Sequence, residues 1–226
     1  RSTLFPYTTL FRSRTGWLFG TKYGQVGGEL RPLMNMEAGS ISRVRNTADG
    51  FEVTALERTF YTDLTTRKRL TKWVNPYTGE TIPITRGPVG PTTVRYRADG
   101  TRELPTEFGG AKFEGRSDTL LVSAVGDDIW ISNDSTVKLT RDNGAGNAFH
   151  VTEWSISHAR LSEVSPASVR GVESRIHLQE VTSWPIWMRM GEQPGVVTSR
   201  GVGIKVLEFE PGSRSEERRV GKECRS

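Results

Sequence analysis

Short runs of alternating apolar and polar residues, separated by Gly, Asp-Gly and Pro turns, recur along almost the whole chain. Clear examples are residues 51–61, which follow Asp49-Gly50, and residues 119–132, which are centred on Gly126. Alternation with a period of two is typical of strands that bury one face. Asp-Gly pairs favour tight hairpins because glycine tolerates a positive φ. The pattern therefore predicts antiparallel strands that are joined mainly by hairpins.

About ten to twelve such strands follow one another without a repeat, a linker or a second region of different composition. This succession predicts an all-β fold, a single antiparallel β-barrel of the calycin or lipocalin type or similar, with one or two short helical turns. Within residues 51–61 the alternation slips, since Val53 and Ala55 share one face whereas Leu56 and Phe60 share the other. A β-bulge near Ala55 would produce this slip and would bend the strand, as a barrel requires.

Three further details of the strand order can be predicted. Residues 29–35 and 40–45 are expected to be separate strands with a bend at Gly39, and residues 184–190 are expected to form one helical turn. Residues 149–164 and 172–182 are the two longest late strands. Symmetric pairing about the loop between them would place His158 opposite His177 and Arg160 opposite Arg175.

The two ends of the chain differ from the body. The last thirteen residues can be encoded by a DNA string whose reverse complement translates in frame as the first thirteen. We interpret residues 1–13 and 214–226 as translated sequencing adapter and exclude them from the fold. The natural domain is then residues 14–213, which we expect to be truncated at its N-terminus.

Excluding the ends changes the charge of the chain. The whole chain has 31 basic and 26 acidic residues, but seven of the basic and three of the acidic ones lie in the two ends. Residues 14–213 therefore have a net charge of +1, which gives no support to nucleic-acid binding. The single cysteine, Cys224, also lies in the tail, so disulfide and thiolate chemistry are not expected in the body. No apolar run is long enough to predict a membrane span.

Five segments of the body carry a resemblance to a known family: LMNMEAGSISRVR, ERTFYTD, WVNPYTGE, HARLSEV and VTSWPIWMRMGEQPG. Together they resemble domain-of-unknown-function family 1838, from about Trp17 to about Val206. The family tends to place Thr-Gly where this chain has Thr66-Arg67. Because an arginine in a left-handed turn position is strained, we expect this turn to differ from the family's. The resemblance implies no defined activity. It implies an opening strand before Trp17 and a periplasmic or exported location.

Histidines and one glutamate are the candidate catalytic groups. His158 and His177, if they face each other, could form a polar pair that lines a pocket, or could bind zinc with a carboxylate. They could equally be ordinary surface histidines, and no metal-binding motif accompanies them. Glu57 shares the phase of Val53, so it is either a general base inside the barrel or a charge on the wet face.

Aromatic residues are the candidate ligand-binding groups. Six tryptophans occur in the body, and indoles are favoured where an apolar ligand meets a polar rim. Trp184 and Trp187 could close one end of the barrel together with the adjacent methionines, or could be plain core. The candidate ligand-binding residues are Tyr61, Trp73, Trp130, Trp154, Arg160, Trp184, Trp187 and Met188.

Three functions remain open from the sequence. The first is a binding module whose barrel holds a small, largely apolar molecule. The second is a cofactor-independent isomerase, cyclase or hydrolase that uses Glu57, His158 and His177 as acid–base groups. The third is a structural or interaction domain with a filled barrel. No P-loop, nucleophile elbow or dinucleotide fingerprint occurs, so no cofactor and no metal is predicted.

Overall fold

A computed structural model describes residues 13–84, 87–108, 111–118, 120–140, 148–164 and 172–207. This part of the chain is nearly all strand, with a four-residue helix, α1 (Leu161–Val164), and one 3₁₀ turn, Ile186–Met188. The strands are β1 (Ser13–Val26), β2 (Glu29–Thr47), β3 (Gly50–Thr62), β4 (Lys72–Val74), β5 (Thr81–Pro83), β6 (Val89–Arg97), β7 (Arg102–Glu103), β8 (Glu107–Phe108), β9 (Ala111–Ser117), β10 (Leu121–Val125), β11 (Asp128–Thr140), β12 (Phe149–Arg160), β13 (Val172–Thr182) and β14 (Val196–Leu207).

Twelve of these strands form one antiparallel sheet in the order β7-β6-β3-β2-β1-β14-β13-β12-β11-β9-β8, with β10 paired to the first half of β11. The sheet curls into a half-barrel. Strands β4 and β5 form a separate hairpin. The predicted all-β, antiparallel, barrel-type fold and the predicted helical turn near residue 186 are thus confirmed.

Contacts between its two ends bring the curled sheet close to a barrel. The Arg102 guanidinium of β7 donates a hydrogen bond to Asn133 Oδ1 of β11. The backbone N–H of Leu120 donates to the Gly100 carbonyl at 3.2 Å. These bonds link β7 to β11 and Leu120 to Gly100, and we call the space inside the curled sheet the lumen.

The predicted β-bulge is confirmed, because the pairing of β3 with β6 shifts register between Ala55 and Glu57. Two other predictions, the break at Gly39 and the pairing of the two late strands, are wrong. β2 runs unbroken through Gly39 because it pairs along its length with both β1 and β3. In the pairing of β12 with β13, His158 faces Arg175 and His177 faces Ile156. This register is shifted by two residues from the predicted one.

A hydrophobic core cluster lies at one end of the half-barrel, where β1 turns into β2. Further buried apolar residues, Ile129, Val137 and Ile176, lie on the lumen face of β11 and β13. The β4–β5 hairpin and the 3₁₀ turn close the end that holds the cluster. Asn75, fully buried, joins them by donating from Nδ2 to the Met188 carbonyl at 2.8 Å and accepting from the Tyr77 N–H at 2.9 Å. We call this cluster the end core; it consists of Leu33, Met34, Met36, Tyr61, Trp73, Ile82, Met188, Met190 and Val197.

Candidate functional site

An interior cavity of about 300 Å³ lies against the wall formed by β14, β1, β2, β3 and β6. Its apolar side consists of aliphatic residues of β3 and β6, and its polar side consists of hydroxyl and charged groups. The residues that line this interior cavity are Gly16, Ser40, Ser42, Val53, Ala55, Glu57, Val89, Thr92, Val94, Tyr96 and Lys205.

The polar side is built from one row of residues in register across four strands. Lys205 pairs with Gly16, Gly16 with Ser40, and Ser40 with Glu57. A Cβ on Gly16 would lie 2.7 Å from Ser40 Oγ, so only glycine leaves this floor open. The small residues in the middle of the row therefore leave the carboxylate of Glu57 and the ammonium of Lys205 on either side of a depression.

Glu57 keeps the inward phase of Val53 and Ala55 because the bulge affects only the pairing with β6, whereas the pairing with β2 is continuous. Within the described residues its carboxylate has no hydrogen bond and no ion pair, and the side chain is exposed to the open part of the lumen. Glu57 is therefore available to a ligand in the interior cavity.

A second group of ionisable residues faces the same lumen from deeper positions. Lys22 Nζ donates to Ser199 Oγ at 2.6 Å and to Glu180 Oε1 at 3.3 Å, and Ser199 Oγ donates to Glu180 Oε1 at 3.0 Å. Lys22 and Ser199 are buried. Since the ammonium is ion-paired and the hydroxyl is inaccessible, this triangle is a structural ion pair and not an activated serine nucleophile.

Glu153 lies directly opposite Glu180 in the pairing of β12 with β13. Burial, followed by the charges of Glu180 and Glu57, raises the pKa of Glu153 to about 7, against the opposing influence of Lys205 and Arg102. A carboxyl with such a pKa holds a proton in about half of the molecules at neutral pH.

The predicted catalytic residues lie on different faces of the sheet. His158 is on the outer face, where Nε2 lies 2.8 Å from Asp128 Oδ1 and the ring packs 5.2 Å from Trp130. His177 is also on the outer face, on an outer groove of about 550 Å³. Glu57 faces the lumen. The structure therefore does not bring Glu57 and the two histidines into one cavity.

The predicted ligand-binding residues fall into two groups. Tyr61, Trp73 and Met188 are in the end core, and Trp184 and Trp187 pack against it. On the outer face, Trp130 packs against His158, Trp154 lines the outer groove, and Arg160 is exposed with a guanidinium nitrogen 3.9 Å from Asp127. None of the eight lines the interior cavity.

The sequence reasoning missed Lys22, Arg102, Glu153, Glu180 and Lys205. The available signal was the strand alternation, which gives Glu153 the phase of Ser155 and the opposite phase to Trp154. Alternation does not say which of the two faces is inside, and the face with tryptophan, not the face with glutamate, was expected to be inside.

Across the ranges that the structure describes, no three His, Cys, Asp or Glu side chains are grouped so that they could hold a metal ion. In the same ranges, no helix has the length and apolar character needed to span a bilayer.

Comparison with known proteins gives a family and no activity. A search of curated proteins found no match. A family model described as a protein of unknown function, DUF1838, matches residues 14–222. The match extends nine residues into the tail that we interpret as adapter. Because it covers nearly the whole chain and agrees with the resemblance seen in the five segments, the chain belongs to the DUF1838 family.

Proposed function

We propose that this protein binds a small molecule inside the half-barrel, in the interior cavity. The observation that carries the proposal is an open, structured cavity of about 300 Å³ in which aliphatic and ionisable residues face each other. Ligand sites typically occupy about 300–1,000 Å³ and combine apolar walls with a few polar groups. The cavity is at the small end of this range, which favours a small ligand.

The lining specifies the chemistry of the ligand. Val53, Val89 and Val94 offer contact to an apolar body, and Glu57 and Lys205 offer charges to a polar or ionised group. We therefore infer an amphipathic ligand, more polar than the largely apolar molecule that the tryptophans suggest. In this proposal the end core supports the cavity wall, since Tyr61 extends the same inward face of β3.

A pair of tryptophan substitutions tests the proposal. Val94→Trp places an indole in the interior cavity, and Val202→Trp places one on the exposed outer face of β14. Saturation-transfer NMR against a library of small amphipathic amines and carboxylates is expected to show binding to the wild type. Binding is expected to be lost in Val94→Trp and kept in Val202→Trp, with circular dichroism confirming that both variants fold.

Equal binding to both variants would place the ligand outside the interior cavity and contradict the proposal. If no library member binds to the wild type, the structural-domain hypothesis takes its place.

A further inference from the structure

The outer groove collects apolar side chains that are unusually exposed. Phe19 is 54% exposed, Val202 56%, Ile156 45% and Trp154 42%. All four line the same groove of about 550 Å³, on the face of the sheet that points away from the lumen. Single exposed apolar residues are ordinary on protein surfaces, whereas a contiguous patch of them marks a binding surface.

The groove is built from two neighbouring rows of residues that run in register across β1, β14, β13 and β12. The first row consists of Phe19, Val202, His177 and Ile156. Adjacent strands lie about 4.8 Å apart, so the Cα atoms of Phe19 and Ile156 are separated by roughly 14 Å. This width accommodates a flat ring system between the two side chains.

The second row adds polar groups about 7 Å further along the strands. It consists of Thr21, Arg200, Gln179 and Trp154. Arg200 is exposed, and within the described residues its guanidinium forms no hydrogen bond and no ion pair. The guanidinium is therefore available to an anion that is bound over the groove.

The charge of the groove favours an anion at its centre. The described residues that line it include Arg200 and His177 and no carboxylate. Acidic residues follow in register beyond the two ends, where Glu37, an exposed glutamate of β2, extends the first row and Asp134 of β11 extends the second. An anionic group is therefore favoured in the middle of the groove, beside Arg200.

We propose that the outer groove is a second binding site, which takes a small planar aromatic molecule with one anionic group. The Arg200 guanidinium offers paired N–H donors to the anionic group. Trp154 and Phe19 offer their rings to the aromatic part. The site is independent of the ligand proposed for the interior cavity, because the described linings of the two have no residue in common.

A second copy of this chain fits the groove less well. A two-fold axis through the groove would bring the Arg200 guanidinium groups of both copies together at the centre of the interface, and like charges there oppose association. An aromatic anion covers the apolar patch and at the same time pairs with the guanidinium.

Three matched probes test the proposal in saturation-transfer NMR titrations. Naphthalene-2-sulfonate has both an aromatic ring system and an anionic group, 2-naphthylmethylammonium has the ring system with a positive charge, and cyclohexanesulfonate has the anionic group without an aromatic ring. The naphthalene sulfonate is expected to bind the wild type, and the other two are expected to bind about 10-fold more weakly or less. Equal affinity for either of them would overturn the proposal, because one of the two recognised features would then be irrelevant.

Substitutions assign the binding to the groove. Arg200→Gln is expected to weaken binding of naphthalene-2-sulfonate about 10-fold, and Trp154→Thr about 3-fold. Arg43→Gln, which changes an exposed arginine of β2 outside the groove, is the matched control and is expected to leave the affinity unchanged. The proposal is overturned if the wild type does not bind the sulfonate, or if Arg200→Gln and Trp154→Thr, shown by circular dichroism to be folded, bind it as tightly as Arg43→Gln.

The two tryptophan variants separate this site from the interior cavity. Val202→Trp fills the outer groove with an indole and is expected to weaken binding of the sulfonate, whereas Val94→Trp is expected to leave it unchanged. A ligand of the interior cavity shows the opposite pattern. Loss of sulfonate binding in Val94→Trp alone would overturn the outer site and leave the proposal for the interior cavity in place.

Light scattering after size-exclusion chromatography tests the competing occupant. The wild type is expected to be unaffected in its oligomeric state by Trp154→Thr. A dimer that Trp154→Thr dissociates would assign the groove to a second copy and overturn the proposal.

Discussion

Two buried polar side chains, Glu52 and Asn75, hold local structure through several hydrogen bonds each. Glu52 shows this on the outer face, where it is buried between Arg45 and Arg95 and accepts bonds from both guanidinium groups. The Arg95 and Arg45 hydrogen bonds lower the pKa of Glu52. Its contribution to stability is therefore present above the ordinary glutamate pKa and is lost on acidification.

Asn75 gives a prediction at the residue scale. Asn75→Ala would leave the Met188 carbonyl and the Tyr77 N–H without their present partners in the buried junction between the β4–β5 hairpin and the 3₁₀ turn. Since each unsatisfied buried group costs about 1–3 kcal/mol, we expect the free energy of unfolding to fall by about 2–4 kcal/mol. Urea denaturation followed by tryptophan fluorescence measures the change. Asn46→Ala, at an exposed position of β2, is the control, and equal midpoints for the two variants would refute the assigned role.

Arg67 shows that the preference for glycine in a left-handed conformation can be overridden. It adopts φ 60°, the left-handed conformation, although its strain for arginine led us to expect a different turn at Thr66-Arg67. The turn is held by Asp63, whose Oδ1 accepts hydrogen bonds from the Thr65 and Thr66 N–H groups at 3.0 and 2.7 Å. These bonds offset the strain of a non-glycine residue at that position.

At the scale of elements, the close pairing of β1 with β14 depends on glycine. A Cβ on Gly203 would collide with the Trp17 carbonyl oxygen, whereas a Cβ on Gly39 in neighbouring β2 would meet no atom within 4 Å. Neither residue has a left-handed φ. The two positions therefore differ in space and not in backbone conformation.

We expect Gly203→Ala to lower the free energy of unfolding by about 1–3 kcal/mol, because the strands must separate to admit the methyl group. Gly39→Ala, the matched control, should change it by less than about 0.5 kcal/mol. Thermal denaturation of the two variants in parallel provides the measurement. A Gly203→Ala variant as stable as Gly39→Ala would show that the two strands can move apart without cost.

At the scale of the whole molecule, the usual distribution of residues over the two faces of the sheet is partly reversed, with charged residues inside and apolar residues outside. The lumen contains Lys22, Glu153 and Glu180, whereas Phe19 and Val202 are each more than half exposed on the outer face. Most of the buried apolar residues in the described part of the chain belong to the end core. This arrangement leaves the lumen free for polar chemistry, and it makes stability depend on the ionisation of the lumen.

Glu153 gives the prediction for this scale. Its raised pKa means that its ionised form destabilises the folded protein, so stability is full below pH 4.5 and falls as the pH rises through about 7. Glu153→Gln removes this loss. We expect the variant to be more stable than the wild type at about pH 8, by at most roughly 3 kcal/mol at 1.4 kcal/mol per pKa unit, and similar to it at about pH 4. Urea denaturation at both pH values tests this expectation, with Glu37→Gln as control. A difference in stability between Glu153→Gln and the wild type that does not change with pH would contradict it.

The sequence by itself determined the strands, the tight turns and the bulge near Ala55, because these depend on alternation, on glycine and on residues close in the chain. It also determined the family. The register of β12 and β13 was missed by two residues, since β13 also pairs along its length with β14, which lies far from it in the sequence.

Only the tertiary structure decided which face of the sheet turns inward. Alternation shows that Glu153 and Ser155 share one face and that Trp154 and Ile156 share the other, but it does not orient the two faces. The usual rule places the aromatic face inside, which led to the tryptophans as pocket walls. Here the end core already buries Trp73, Tyr61 and the methionines, so the curl of the sheet places glutamates in the lumen and leaves Trp154 outside.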